Sequence, residues 1–260
     1  MHSRAANPAA PAIQYSYADI ADLARLAPIV IDGTISKAQK LPPEQSAGLK
    51  SGRVRMLITL DLVSLIRGPQ RSPARITYLA DVPLTIKGKA PKLKKQRVIV
   101  FARAIPGKTD AVQLQTPNAQ LAWSPDTDTQ VRAILRELLA SNAAPHVTGI
   151  TNAFYSAGTL PGEGESQIFL ATAGDVPTSL VITRSGEAAA RWAVSFGELV
   201  DASATQPAPD TLGWYRLACF LPAALPATVL DGQTDTDRAQ IVADYAVVRQ
   251  SLGKCTRTLG

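Results

Sequence analysis

The chain has 260 residues, which is enough for one large domain or two smaller ones. Its hydrophobic content of 46% excludes a wholly disordered protein. No apolar run reaches the roughly 18 residues of a transmembrane helix, so we expect no membrane span. The net charge of +6 is unevenly divided: residues 1–141 carry 20 Lys and Arg against 10 Asp and Glu, and residues 142–260 carry 7 against 11. This asymmetry predicts two modules with different surfaces.

Residues 1–16 are predicted to form a flexible tail. The first twelve are small and rich in Ala and Pro, and they lack the apolar segment of a signal peptide. We interpret them as the start of a mature exported protein whose leader has been removed. A cytoplasmic chain with a ragged start is the alternative.

Residues 17–141 are predicted to form a basic domain made mainly of strands, with flanking helices. Apolar residues at helical spacing over Tyr17–Ala27, with Ser16 as N-cap, predict the first helix. Alternating apolar residues bounded by turn residues predict strands over Ile29–Ala38, Val54–Ile66, Arg75–Ala80, Val98–Ala104, Val112–Thr116 and Gln120–Trp123. A helix capped by Asp126 or Asp128 closes the domain.

Residues 146–260 are predicted to form an acidic α+β domain, separated from the first by the linker Ser141–Pro145. Its predicted strands are Ile150–Tyr155, Gln167–Thr172, Leu180–Arg184 and Ala190–Phe196, the last two forming a hairpin. One helix follows a cap at Asp210 or Thr211, and a second covers Asp235–Ser251 and ends at Gly253. The fold class predicted for the whole chain is therefore α+β.

The two cysteines, Cys219 and Cys255, each lie at the edge of a predicted helix. A zinc site needs about four ligands and no histidine lies near either cysteine, so we expect no metal site. We predict instead a disulfide that clasps the two helices and stabilises the fold by about 3–4 kcal/mol. Two buried free thiols are the alternative. A disulfide also favours a periplasmic or secreted protein.

Three segments of the first half resemble a known fold. They read Pro28-Ile-Val-Ile-Asp-Gly-Thr-Ile35, Leu65-Ile-Arg-Gly68 and Arg97-Val-Ile-Val-Phe-Ala-Arg103. Over about Tyr17 to Trp123 the chain resembles the OB-type barrel of netrin-like and TIMP-like modules, and the whole chain resembles uncharacterised bacterial exported proteins. The resemblance implies an OB-like antiparallel β-barrel. The metalloprotease inhibitors of this type act through an N-terminal cysteine, and this chain has no cysteine before Cys219, so their mechanism is not carried over.

The most conspicuous pattern is a run of basic residues at Lys87, Lys89, Lys92, Lys94, Lys95 and Arg97. A basic loop beside the sheet of an OB-type barrel can follow a chain of phosphates. Single-stranded nucleic acid also needs aromatic platforms, and the nearest aromatic residues are Tyr78 and Phe101. We prefer to interpret the run as a solvated loop between two strands, without a ligand. If it does bind a partner, we do not expect nucleic acid and favour an anionic lipid or polysaccharide.

Other residues with catalytic or binding side chains are scattered. Four acidic residues could supply the carboxylate pair of a glycosidase: Glu163, Glu165, Glu198 and Asp201. The two histidines, His2 and His146, accompany no Gly-x-Ser-x-Gly elbow, and no phosphate-binding glycine loop is present. Three aromatic residues could line a groove but are more typical of a core: Trp192, Trp214 and Tyr215.

We therefore expect a non-enzymatic protein of the periplasm or the cell exterior that requires no cofactor. Its expected partner is an envelope protein, an anionic lipid or a polysaccharide. One alternative is a hydrolase that uses carboxylates of the second domain. The other is an OB-type protein that binds nucleic acid.

Overall fold

The computed structural model describes residues 14–69, 73–186, 188–197 and 205–259. Within these ranges the protein has two antiparallel sheets and four α-helices, so the predicted α+β class is confirmed. The helices are α1 (Tyr17–Leu26), α2 (Pro125–Leu139), α3 (Leu212–Ala218) and α4 (Asp235–Leu252). None of the helices described is long and apolar enough to cross a bilayer.

The chain divides into two compact units. The first comprises Met1–Arg136 and Arg257–Gly260, and the second comprises Glu137–Thr256. The change of unit falls inside α2, whereas the sequence-based division places it after residue 141. The last four residues belong to the first unit, although they follow the second unit in the sequence.

The first unit is built on one sheet with the strand order β3-β2-β1-β4-β5, and β6 pairs with β4. The strands are β1 (Ile29–Lys40), β2 (Arg53–Arg67), β3 (Arg75–Pro83), β4 (Arg97–Ala104), β5 (Val112–Leu114) and β6 (Gln120–Ala122). The two edges of the sheet approach each other at a single parallel bridge between Thr77 and Ala111. There the Thr77 N–H donates to the Asp110 carbonyl at 2.8 Å. The sheet therefore curls, but the described residues form no continuous closing ladder.

Alternate residues of β1 to β5 turn into one hydrophobic core, as the period of two requires of a strand with a buried face. Its members that are at most 2% exposed are Ile31, Ile35, Ile58, Leu60, Ile76, Tyr78, Val100 and Ala102. Gly33 lies within β1 at a shift of register against β2. A Cβ atom at this position would lie 2.7 Å from Leu60 Cγ, so the close approach of the two strands requires glycine.

The N-termini of α1 and α2 show one correct and one wrong cap prediction. Ser16 Oγ accepts a hydrogen bond from the Asp19 N–H at 3.1 Å, and the Asp19 carboxylate accepts one from the Ser16 N–H at 3.0 Å. This capping box confirms Ser16 as the N-cap of α1. The prediction that Asp126 or Asp128 caps α2 is wrong, because Pro125 already occupies the first helical position and the cap must precede it. Accordingly, the hydroxyl of Ser124 accepts from the N–H of Thr127 at 3.0 Å.

The second unit is a four-stranded sheet in the order β10-β9-β8-β7, with α3 and α4. Its strands are β7 (Val147–Ala157), β8 (Gly164–Thr172), β9 (Thr178–Arg184) and β10 (Arg191–Phe196). The predicted hairpin is confirmed, since β10 pairs with β9 from Arg191 opposite Thr183 to Phe196 opposite Thr178. Thr211 caps α3 and Gly253 ends α4, both as predicted.

The disulfide predicted from the sequence is present. Cys219 is the C-cap of α3 and Cys255 follows α4, with their Cα atoms 5.1 Å apart. The bond joins positions separated by 36 residues and clasps the two helices of the second unit. A crosslink over a loop of this length removes much of the freedom of the unfolded chain.

Candidate anion-binding surface

The predicted basic run lies in residues 84–96, the loop between β3 and β4. The loop is anchored to the sheet, because the Lys95 N–H donates to the Ile35 carbonyl at 2.8 Å. Leu93 is 8% exposed and belongs to the hydrophobic core, and its carbonyl accepts from the Gln96 N–H at 3.0 Å. The second half of the loop therefore holds its lysines on a fixed backbone.

The first half of the loop is a tight hairpin turn. The Thr85 N–H donates to the Lys89 carbonyl, and the Gly88 N–H donates to the Thr85 carbonyl, both at 2.8 Å. Gly88 has a φ of +69°, the left-handed conformation that completes a three-residue hairpin loop. This geometry holds Ile86 and Lys87 at the tip, and Ile86 is fully exposed to solvent.

All five lysines of the loop are exposed: Lys87, Lys89, Lys92, Lys94 and Lys95. In the described part of the chain, none of their ammonium groups forms an ion pair with a carboxylate. Lys95 also has a φ of +74°, a conformation that is unfavourable for a residue with a side chain. The loop therefore presents positive charge that no described carboxylate neutralises.

Arg97, the sixth residue of the predicted run, is bound differently. Its Nε donates to Asp32 Oδ1 at 2.8 Å and its Nη2 donates to Asp32 Oδ2 at 2.7 Å. The guanidinium also lies 3.8 Å from the centroid of the Trp123 ring. The hydrogen bonds that Arg97 donates to Asp32 raise the pKa of Arg97. The charge of Arg97 is thus matched by a carboxylate that is 1% exposed, which separates this residue from the loop lysines.

Three further lysines lie at the same end of the sheet. Antiparallel pairing brings the end of β1, the start of β2, the end of β3 and the start of β4 to the same end of the sheet. Lys37 and Lys40 close β1, and Lys50 precedes β2. All three are exposed. We call the eight lysines Lys37, Lys40, Lys50, Lys87, Lys89, Lys92, Lys94 and Lys95 the basic end of the sheet.

The loops at this end carry little acid. Residues 41–52 and 84–96 together contain one carboxylate, that of Glu44. Because so little negative charge lies among them, the lysines reinforce one another's field. Sequence reasoning missed Lys37, Lys40 and Lys50. In chain order the nearest of them, Lys50, lies 37 positions before Lys87, and only strand pairing brings the two groups to the same end of the sheet.

A cleft of about 600 Å³ lies beside the basic end, with Lys50 and Arg53 in its lining. It is also lined by three carboxylates that are paired within the first unit: Asp19, Asp22 and Asp81. Since these carboxylates already have partners, the cleft offers a ligand two cations, the exposed ammonium group of Lys50 and the guanidinium of Arg53. Arg53 is half-buried and donates to the Asp81 carbonyl and to Asn118 Oδ1.

Asp19 binds the C-terminal residues of the chain. Its carboxylate accepts from the Thr258 N–H at 3.0 Å, from the Thr258 hydroxyl at 2.6 Å and from the Leu259 N–H at 3.1 Å. Burial by itself raises the pKa of the Asp19 carboxyl, but the hydrogen bonds from Thr258, Ser16 and Leu259 outweigh it and leave the pKa lowered. Asp19 therefore stabilises two segments of the first unit, the N-terminus of α1 and the residues Thr258 and Leu259.

The acidic residues considered for a hydrolase fall into two groups. Glu198 and Asp201 lie outside the described residues, as does His2. Glu163 and Glu165 lie at the β7–β8 hairpin, where Glu165 is exposed and Glu163 is half-buried. The Glu163 main-chain carbonyl accepts the Tyr155 hydroxyl at 3.2 Å.

In the second unit His146 is half-buried, and the candidate groove residues are buried. His146 Nδ1 lies 3.2 Å from Arg216 Nη1, and because arginine can only donate, Nδ1 is the acceptor. The imidazole also meets the Phe220 ring edge-on at 4.4 Å between centroids. Three aromatic residues are buried rather than lining an open groove: Trp192, Trp214 and Tyr215.

A buried ionic cluster in the second unit was missed by sequence reasoning. Asp244 on α4 is completely buried and accepts from Ser166 Oγ on β8 at 2.6 Å and from Arg184 Nε on β9 at 2.6 Å. Gln240 adds a third hydrogen bond at 3.1 Å. The signal was present in the sequence, since Asp244 interrupts the buried stripe of α4 and a buried carboxylate requires partners. The cluster ties α4 to the sheet, and we assign it a structural role.

Neither a scan against protein-family models nor a search of curated proteins gives a match to this chain. The function is therefore inferred from the geometry of the basic end.

Proposed function

We propose that this protein is a non-enzymatic binding protein of an extracytoplasmic compartment, periplasmic or secreted, that holds an anionic partner against the basic end of the sheet. The observation that carries the proposal is the loop of five exposed lysines on an anchored backbone, without carboxylate partners among the described residues. Exposed like charges repel one another, so a fold gains nothing from grouping them. A polyanion that binds them relieves this repulsion.

The kind of cation indicates the kind of ligand. Lysine offers a compact charge on a flexible stem, whereas arginine offers a planar fork that fits one oriented carboxylate or phosphate. At the basic end the exposed cations are lysines, and Arg97 is bound to Asp32. This composition suits an extended anionic surface better than a single oriented ligand.

The OB-type barrel of netrin-like and TIMP-like modules remains our proposal for the first unit. It is supported by the central position of β1 between β2 and β4 and by the parallel bridge between Thr77 and Ala111, which brings β3 next to β5. OB-type barrels bind ligands on one face and in the adjoining loops. In that fold one of these loops would be the one between β1 and β2, which carries Lys50, and residues 84–96 lie at the same end of the sheet.

The proposed compartment is supported by the disulfide between Cys219 and Cys255. Disulfides persist in the periplasm and outside the cell, and they are rare in the reducing cytosol. Lysine-rich surfaces meet anionic lipids and polysaccharides in those compartments. Nucleic acid ranks below them, because residues 84–96 contain no aromatic side chain on which a base could stack.

The proposal is tested by measuring how binding of the full chain to dextran sulfate depends on salt. The triple variant Lys87→Ala, Lys89→Ala and Lys94→Ala should bind more weakly, with a shallower dependence on salt, because fewer counterions are displaced. The charge-matched control changes Lys108, Arg191 and Lys254 to Ala, three exposed cations elsewhere. Equal losses in the two variants would show that net charge alone governs binding, and the proposed site would then be wrong.

A further inference from the structure

We propose that the anionic partner is a lipid bilayer, and that Ile86 enters the bilayer interface while the surrounding lysines bind anionic headgroups. This inference rests on the proposed function and specifies its ligand. It assigns a role to the tip of residues 84–96, a part of the loop that charge alone does not explain.

Ile86 is fully exposed, the largest exposure among the exposed large hydrophobic residues described. Single exposed apolar residues are common on proteins and need no explanation by themselves. This one lies at the tip of a hydrogen-bonded turn, between Thr85 and Lys87, with Lys89 on the other arm of the same hairpin. The turn holds the isoleucine away from the sheet, with Lys87 next to it in the chain and Lys89 on the opposite arm.

A bilayer interface offers a partner to both kinds of side chain. Anionic headgroups attract each nearby lysine, which strengthens binding about fivefold per residue at physiological salt. The region just beneath the headgroups accepts an aliphatic side chain, and lysine stems extend so that their ammonium groups stay at the headgroup level. Lys87 and Lys89 could therefore remain bound to phosphates while Ile86 is buried.

The other anionic partners leave the tip unexplained. A sulfated or carboxylated polysaccharide would bind the lysines, but sugars are held by hydrogen bonds and stacking aromatic rings, and residues 84–96 contain no aromatic residue. A nucleic acid meets the same objection. Neither would give the Ile86 side chain an apolar environment.

The backbone of the loop is prepared for such contact. The hydrogen bonds between Thr85 and Lys89 and the burial of Leu93 hold both halves of the loop without a ligand. Little ordering is therefore required on binding, which favours affinity. Because Ile86 makes no buried contact in the free protein, replacing it should leave the fold unchanged.

The test compares two probes: vesicles of phosphatidylcholine with phosphatidylglycerol, and dextran sulfate as a soluble polyanion. Ile86→Ser should weaken vesicle binding about tenfold, the order expected for losing one aliphatic side chain from an apolar environment, and should leave dextran sulfate binding unchanged. The matched control is Leu160→Ser, which removes another exposed aliphatic side chain at 62% exposure. Leu160→Ser should change neither vesicle binding nor dextran sulfate binding. In Ile86→Trp, quenching of fluorescence by brominated lipids beyond that of the wild type reports insertion directly.

The outcomes separate this inference from the proposed function. Binding to dextran sulfate without binding to the anionic vesicles overturns the bilayer as partner and leaves the anion-binding surface standing. Vesicle binding that Ile86→Ser does not weaken overturns the insertion of the tip. Failure to bind either probe overturns the proposed function and this inference with it.

Discussion

The carboxylate of Asp32 and the guanidinium of Arg97 form a pair with two hydrogen bonds, 2.8 and 2.7 Å long, between residues 65 positions apart. Asp32 lies in the first half of β1 with 1% of its surface exposed, and Arg97 is the first residue of β4. A charge buried to this degree is tolerated only with a partner. Arg97 therefore stabilises the sheet by pairing with Asp32, although in the sequence it is the last residue of the basic run.

Substitutions of Arg97 should therefore act on stability before they act on binding. We expect Arg97→Ala to lower the urea midpoint clearly, because it leaves the Asp32 carboxylate buried without its partner. Arg97→Lys should lower it less, since lysine keeps the charge but loses the bidentate contact and the stacking on Trp123. Urea unfolding gives the midpoints, with Arg103→Ala, an exposed arginine of the same strand, as control. If Arg97→Ala unfolds like the wild type but binds dextran sulfate as poorly as a lysine variant, Arg97 belongs to the ligand site.

Replacing Lys95 by glycine should separate stability from binding. The left-handed conformation costs a residue with a side chain about 1–2 kcal/mol, and the greater freedom of glycine in the unfolded chain offsets about 0.5–1 kcal/mol of that gain. We expect the free energy of unfolding to stay constant or rise by up to about 1.5 kcal/mol, while affinity for dextran sulfate falls.

Lys94→Gly is the matched control for Lys95→Gly, since it removes the same charge where φ is not positive. It should lose about 0.4–1 kcal/mol of stability with a similar fall in affinity. Equal changes of stability in the two variants would contradict the assigned backbone strain.

The contribution of Asp19 should depend on pH in a defined direction. Its pKa is lowered in the folded protein, so its stabilisation is fully present above the unfolded pKa of about 3.9 and is lost as the pH falls through the folded pKa. The difference in free energy of unfolding between the wild type and Asp19→Asn should therefore be largest near neutral pH and shrink below about pH 4. Urea unfolding at a series of pH values measures it. As control, Asp175→Asn at an exposed position should differ little from the wild type in free energy of unfolding at every pH. A loss of stability for Asp19→Asn that grows as the pH falls would contradict the prediction.

Removing the carboxylate of Asp244 should be among the more damaging changes to the second unit. Asp244→Ala leaves Arg184 and Ser166 without their shared acceptor, and breaking a buried pair of this kind costs about 3–5 kcal/mol. Ser166→Ala should cost less, about 1.5–3 kcal/mol, the range for a hydrogen bond to a charged group. The first-turn residue Asp235, which is exposed, serves as control and should cost under about 1 kcal/mol on replacement by Ala. A loss for Asp244→Ala no larger than that of the control would show that the cluster is not a structural tie.

Local features were predictable because they depend on residues that are close in the chain. The cap at Ser16, the ends of α4 and the hairpin of β9 and β10 follow from periodicity, capping and turn residues. The disulfide followed because the sequence offers two cysteines, each at a helix end. The prediction failed at the start of α2, where two acidic candidates outweighed the less conspicuous Ser124 before Pro125.

The sequence shows the basic run as six positive charges, but it does not show that these residues have different roles. Five of them are exposed on a loop, and the sixth is bound to a carboxylate that sequence reasoning did not single out. Only the pairing of β1 with β4 brings Asp32 within reach of Arg97.

From the sequence alone we predicted the main helices and strands, though not all of their ends, favoured the disulfide pair, and located a lysine-rich loop between two strands. The tertiary structure decided which charges act together. Strand pairing places Lys37, Lys40 and Lys50 at the same end of the sheet as the loop. The hydrogen bonds of the turn hold Ile86 at its tip, and Thr258 near the C-terminus binds Asp19. The physical reason is that caps and periodicity act over a few residues, whereas strand pairing and burial join groups that lie tens to hundreds of positions apart and set whether a charge is neutralised or offered to a partner.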